Sequence, residues 1–470
     1  MVDLRFSSFL SLARRCALPL AVVCWAIVSM SATTAHAQQL SAETLLQDLV
    51  DDYGPKYSDV DNAIDQLRSG RLADARESLR TARQKNANLP PANLMLADIL
   101  FRLKQVQPAQ GALEEAVKED PNDPGAYIYL GEVALQSRRW TEAKAMYDKG
   151  LELAQKYSAN NKRKNRLMVS AYSGQASIAE MNENWQLAKS LLTTLLQIEG
   201  DNSLALTRLG RVMFKLSSTK DDEREVYALF KKMHANDEKT AYPDVNMALL
   251  YEQSGKSQNA KAMMERAATQ DANNVRTRLA VAKWALDHEE LDMAKTNAEA
   301  ALKLEPRSLE AKLYMGLIAR FRNDLPTAES LFKEAHLQSP THLGAITQLA
   351  LVLVDQSDEA KRTQALEYAR LNTQLYSDLN EATGREAAVT FGWVLSKLGQ
   401  TAAATKAVQQ ALTAGNGRIS ADNAYHAAQI LYDGGMTEAA QKLLDQTLQS
   451  ESVFPNRAAA EQLSARIKNR

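Results

Sequence analysis

The clearest pattern in the chain lies between Pro124 and Tyr157. Tyr127, Leu130 and Ala134 recur at helical spacing with Gly131 on the same face, and after a polar break Ala143, Tyr147 and Gly150 do the same. This predicts two short amphipathic helices. Small residues at fixed points allow close approach, and larger ones fill the space around them. The pattern also begins 34 residues earlier at Pro90, and 34 before that at Lys56.

Continued along the chain, the spacing gives eleven units, starting near Lys56, Pro90, Pro124, Val169, Ser203, Ala241, Val275, Leu309, Leu343, Arg385 and Ser420. The eighth position of each is Ala or Gly: Ala63, Ala97, Gly131, Ala176, Gly210, Ala248, Ala282, Gly316, Ala350, Gly392 and Ala427. The twentieth is Ala in nine units, from Ala75 to Ala439, and fails as Asp222 in the fifth and Arg362 in the ninth. Prolines check the register independently. Pro121, Pro306 and Pro340 fall after a second helix, Pro90, Pro124 and Pro243 near the start of a first, and Pro108 and Pro326 at the opening of a second, where the missing N–H costs little.

A helix pair repeating at 34 residues resembles the tetratricopeptide repeat. The resemblance implies an all-α, right-handed superhelical solenoid of about eleven helix-turn-helix repeats. The array covers 56–453, with irregular stretches near 156–168, 217–240 and 355–384. Residues 454–470 form a C-terminal capping helix, opened by Pro455 over Asn456–Ile467.

Residues 1–37 read as a secretory signal peptide: Arg5, Arg14 and Arg15, an apolar run from Cys16 to Met30, and Ala35-His36-Ala37 as the cleavage site before Gln38. Residues 38–55 form an N-terminal segment with a helix over Ser41–Val50. The expected location is the periplasm or cell envelope, with no transmembrane helix after cleavage. Cys16 and Cys24 are the only cysteines, so the mature chain has no disulfide, thiolate nucleophile or cysteine metal site.

Net charge is −1, and removal of residues 1–37 leaves −3, a balance that argues against nucleic acid as a general partner. No catalytic, cofactor or metal site is expected. His234, His288, His336, His342 and His426 are scattered over different units, and phosphate-loop and H-E-x-x-H motifs are missing. Ser217-x-x-Lys220 is a chance-level match to a serine–lysine pattern. An enzyme reading requires a deep polar pocket in the irregular fifth unit.

The resemblance further implies a concave groove that holds a protein or peptide partner. Its candidate contacts are Arg68, Arg102, Arg211 and Lys215, with Asp98 and Glu132 between them. Leu249, Leu317, Leu351, Phe321, Trp393 and Tyr432 follow in later units. Arg suits partner carboxylates, and the aromatic end suits pockets, although Phe321 and Tyr432 are equally placed to pack on neighbouring units. Val60, Ile64, Ile128 and Glu132 stand where the two-carboxylate clamp of chaperone-binding members would put Lys and Asn, so that clamp is missing. Trp140, Trp185 and Trp284 are expected in seams. Lys156, Lys162, Arg163, Lys164 and Arg166 form the densest basic run, read either as a solvated helix and loop or as a contact for an anionic polymer.

The expected function is a non-catalytic exported adaptor. Secretion or polysaccharide-export assemblies are implied by resemblance alone, and the alternative is a carrier of anionic polysaccharide or peptide.

Overall fold

The computed structural model describes residues 57–450 and 452–469, which form 23 helices and no strand. The proposed signal and the helix at Ser41–Val50 lie outside these residues. The chain divides into two compact units, Met1–Asn182 and Glu183–Arg470.

Unit 1 holds three helix pairs: Ser58–Arg68 with Leu72–Lys85, Ala92–Arg102 with Val106–Glu119, and Pro124–Gln136 with Trp140–Lys156. Asn161–Met181 follows. Unit 2 opens with Trp185–Ile198, which in chain order completes the fourth pair. Pairs five to eight are Ser203–Leu216 with Lys220–Asn236, Pro243–Gln253 with Ser257–Gln270, Val275–Asp287 with Leu291–Leu304, and Leu309–Phe321 with Leu325–Gln338. Pairs nine to eleven are Leu343–Val354 with Glu359–Leu375, Ala382–Lys397 with Thr401–Thr413, and Ala421–Asp433 with Thr437–Leu448. Arg457–Lys468 closes the chain. The eleven pairs and the final helix are those the spacing predicts.

Every eighth-position residue is buried. Opposite three of the four glycines stand aromatic rings, and Gly392 faces Val408. A Cβ added at Gly131 would come within 2.8 Å of the Tyr147 ring, at Gly210 within 2.3 Å of Phe230, and at Gly316 within 2.5 Å of Phe332. Where the eighth residue is Ala, the second helix supplies a smaller group at the equivalent place: Leu79, Leu113, Leu192, Met264 or Leu444, and in the seventh and ninth pairs only Ala298 and Ala369, all buried. The first-helix residue is thus small in every pair, while its partner ranges in size from Ala298 to Tyr147. One position departs from the sequence reading. In the eleventh pair Ala440, not Ala439, is the fully buried residue, because the turn lies one residue later there.

The turns within pairs are also uniform. The second residue of a three-residue turn takes a left-handed conformation in nine of the eleven, at Gly70, Lys104, Arg138, Glu183, Gly255, Glu289, Asn323, Gly399 and Gly435. The following N–H reaches back to the first helix, as Arg71 N to Gln66 O at 2.8 Å and Gln105 N to Leu100 O at 2.9 Å. The fifth and ninth pairs differ. Their second helices start instead on the side-chain caps Thr219 (a reciprocal capping box with Asp222) and Asp358. Both helices run to 17 residues against 14 in most others. The added length is close to one turn, which keeps the buried stripe in phase.

Phe332→Ala is expected to cost about 3–5 kcal/mol and Gly316→Ala about 1–3 kcal/mol. Gly316→Ala combined with Phe332→Leu is expected to cost less than the two single changes summed; simple additivity in chemical denaturation would refute a shared seam. At the turns, space is open around Gly399, so Gly399→Ala tests backbone strain alone. It is expected to destabilise by about 1 kcal/mol, and Lys104→Gly to be neutral or stabilising.

Candidate partner-binding face

In unit 2 the first helices of successive pairs touch one another as well as their own second helices. They do so most extensively from Leu343–Val354 through Ala382–Lys397 to Ala421–Asp433. First helices therefore line the inner side of that run, the face where the sequence puts a partner.

At its end this face is closed from within. Arg320, in the eighth pair, donates from Nη1 to Asp422 Oδ2 of the eleventh at 2.9 Å, across 102 residues of sequence, and to Gln348 Oε1 at 2.6 Å. Packed helices lie about 8–10 Å apart, so three straight steps would span roughly 24–30 Å, beyond the reach of these side chains. The inner side must contract to let them meet. Asn456 Nδ2 donates to the other Asp422 oxygen at 2.9 Å and lies 3.3 Å from His426 Nε2, while His426 Nδ1 lies 3.3 Å from Asn423 Oδ1. One neutral tautomer, protonated at Nδ1, satisfies both contacts. Beneath, Glu386 accepts from Ser420 and Asn423.

Trp393 sits inside this arrangement and is corrected from a groove residue to a core one. It is 4% exposed. Its indole N–H donates to Asp355 Oδ1 at 3.3 Å, its ring stacks on His426 with centroids 4.4 Å apart, and the Lys397 ammonium lies 4.4 Å from the ring centroid. Leu351 is buried too, and Phe321 and Tyr432 are half-buried against the hydrophobic clusters of their neighbours. Trp284 fills a seam as expected, donating to Glu252 Oε2 at 3.0 Å.

Earlier in unit 2 the same face is open. Arg211 is half-buried, Lys215 exposed, and Leu249, equivalent to Arg211 one pair later, is 44% exposed. In unit 1, Arg68 pairs with Asp65 at 3.0 Å and Arg102 with Asp98 at 3.2 Å. Such exposed pairs are worth about 0–1 kcal/mol, little enough to be exchanged for a partner's carboxylate. Glu132 accepts from Ser170, and burial raises its carboxyl above the ordinary range.

The basic run does not form one surface. Arg163, expected to meet an anion, is 2% exposed and forks the buried Asp123 with two hydrogen bonds of 2.7 Å, beside the Tyr157 hydroxyl at 3.0 Å. Asp123 in turn caps Pro124–Gln136 by accepting from Gly125 N. Lys164 donates to Gln155 O at 3.0 Å, Arg166 is half-buried, and Lys162 is exposed. The two helices here are long, at 17 and 21 residues, and the buried ion pair ties the second of them to the start of Pro124–Gln136.

Two family models described as tetratricopeptide repeat match the chain, one over residues 60–109 and 94–158 and one over 245–274. Those segments of the chain are similar to tetratricopeptide repeats. No curated protein matches it. Among solved structures, yeast Tom70 is similar at 14% identity, covering 88% of this chain and 96% of its own, with a TM-score of 0.38. Cut9 in the APC/C Cut9–Hcn1 hetero-tetramer gives 13%, 88%, 96% and 0.41, and the Thermus thermophilus protein TTC0263 gives 18%, 42%, 100% and 0.35. Likenesses this distant add nothing on function.

The fifth repeat carries the Ser217-x-x-Lys220 match, and a depression of 700 Å³ lies beside it. Ser217 Oγ donates to Phe214 O at 2.7 Å and is not engaged with Lys220. Among the described residues no group of three or more His, Cys, Asp and Glu is placed to hold a metal, and no helix is long and apolar enough to cross a membrane.

Arg320→Met leaves the half-buried Asp422 without its cation, with the Asn456 hydrogen bond remaining, and is expected to cost about 3–5 kcal/mol, whereas Arg320→Met with Asp422→Leu is expected to recover most of that loss in urea denaturation. Burial holds His426, His336 and His342 below the ordinary imidazole value. The unfolded chain therefore takes up more protons as pH falls through about 6.5, and stability declines there. Burial opposes ionisation of Asp422, but the Arg320 charge holds it below the usual carboxylate range, so its stabilising contribution is lost only below about pH 4. The urea midpoint is expected to fall between pH 7.5 and 5.5, and by less in His426→Gln.

Proposed function

We propose that this chain is a non-catalytic scaffold that holds a segment of a partner protein on the first-helix face of its repeats. The observation that carries the reading is the contrast along that face: Lys215 and Leu249 are exposed and Arg211 half-buried in the fifth and sixth repeats, while the face is shut from the eighth repeat onward. Guanidinium and ammonium groups beside an exposed leucine suit a segment with both carboxylates and apolar side chains.

Export to the periplasm or cell envelope belongs to the same proposal, supported by the basic, apolar and Ala-His-Ala series in residues 1–37. A place in a secretion or polysaccharide-export assembly would be one use of such a scaffold.

Cross-linking in intact cells tests the binding claim. Arg102→Glu with Leu249→Asp is expected to reduce partner capture by about tenfold or more, since two contacts are lost at roughly 1 kcal/mol or more each. Helical content is expected to stay unchanged, because both side chains are solvent-accessible. Undiminished capture would overturn the binding face. For export, the mature protein is expected to begin at Gln38 by intact mass; a retained residue 1–37 segment in a cytosolic fraction would refute it.

A further inference from the structure

The depression beside the fifth repeat lies where the irregular turn of that pair meets the turn of the sixth. Insertions in repeat arrays collect on one face, often the binding face. Here the irregular turn brings Lys215, Lys220 and Lys256 around a recess closed on one side by Phe214 and Tyr251, with Glu223 as the single acidic residue in its lining. Glu223 is already engaged, accepting from the Tyr251 hydroxyl at 2.9 Å and lying 3.4 Å from the Lys256 ammonium. Lys215 and Lys220 have no hydrogen-bond or ion-pair partner among the described residues. Two cations are therefore left uncompensated at the rim.

The helix end beside them is not the attraction. Asp222 accepts from the N–H groups of Ser218 and Thr219, and Thr219 Oγ1 accepts from Asp222 N, so the N-terminus of Lys220–Asn236 is already satisfied by a carboxylate. The Lys256 ammonium lies 5.8 Å from the Phe214 ring centroid and 5.5 Å from that of Tyr251, and the two rings meet edge to face at 5.5 Å. Those ring faces are covered by a cation, which disfavours stacking of a sugar and leaves ion pairing as the means of recognition.

We propose that this recess is the anchor for an acidic segment of the partner protein, its carboxylates paired with Lys215 and Lys220. The inference rests on the scaffold reading above and supplies the chemistry of the segment held. Lysine offers a compact charge on a flexible stem, which suits carboxylates in a variable backbone more than a fixed planar group.

The test is fluorescence anisotropy of the full chain with a labelled peptide of alternating Glu and Gly, at about 50 mM salt so that screening is modest. Saturable binding is expected, weakened by about tenfold or more in Lys215→Glu/Lys220→Glu and also reduced in Lys215→Gln/Lys220→Gln. The control Lys303→Glu/Lys406→Glu, on exposed second-helix positions, is expected to bind like the parent. Circular dichroism checks that each variant is folded. No saturable binding by the parent, equal affinity in both pocket variants, or tighter binding of polygalacturonate than of the peptide overturns the proposal. Cross-linking separates the two levels. Capture that survives the Lys215/Lys220 changes but not Arg102→Glu/Leu249→Asp overturns the recess and leaves the scaffold standing; capture that survives both overturns the scaffold.

Discussion

One steric contact recurs in most of the helix pairs: a residue without much side chain on the first helix meets a residue with a large one on the second. Gly131 against Tyr147, Gly210 against Phe230 and Gly316 against Phe332 are its extreme form, and Ala63 against Leu79 its milder one. The first-helix position stays Ala or Gly in all eleven pairs, which sets the close spacing, while its partner varies from Ala298 to Tyr147. The turns, the phase of the lengthened helices and the placement of prolines are all consistent with that spacing.

What a scaffold of this kind can do depends on which parts of its inner face stay open. In unit 2 the Arg320–Asp422 pair and the polar groups around it fill the inner side between the eighth repeat and the final helix. A buried pair of this type contributes little net stability, since desolvating both charges offsets most of their attraction. Its effect is geometric: it selects the contracted arrangement over straighter ones, in which both charges would stand unpaired. Trp393, Leu351 and His426 are enclosed as a result, and the accessible part of the face shifts to the fifth and sixth repeats.

The period, the eleven pairs and the final helix were legible in the sequence because the seam constrains residue size at fixed intervals. Of the complementary aromatics only Tyr147 was read from the sequence, at helical spacing with Ala143 and Gly150; Phe230 and Phe332 were found only in the structure. The left-handed turns were not legible, since four of the nine are filled by Lys104, Arg138, Glu183 and Glu289, which carry no turn signature. The fates of Arg163 and Trp393 were hidden for a different reason. Position in a repeat tells which face a side chain leaves from, but not whether Asp123, 40 residues away, or Asp355, 38 residues away, is waiting to receive it. The link between Arg320 and Asp422 has no local signal at all.

Trp393 reports most directly on whether the inner face is shut at its end. With Trp140, Trp185, Trp284 and the remaining tryptophan replaced by Phe, acrylamide quenching of the sole indole measures its access to solvent. The account predicts quenching close to that of a fully enclosed tryptophan, rising when Arg320 and Asp422 are replaced by Ala together. Quenching of the parent as efficient as that of free indole would contradict it.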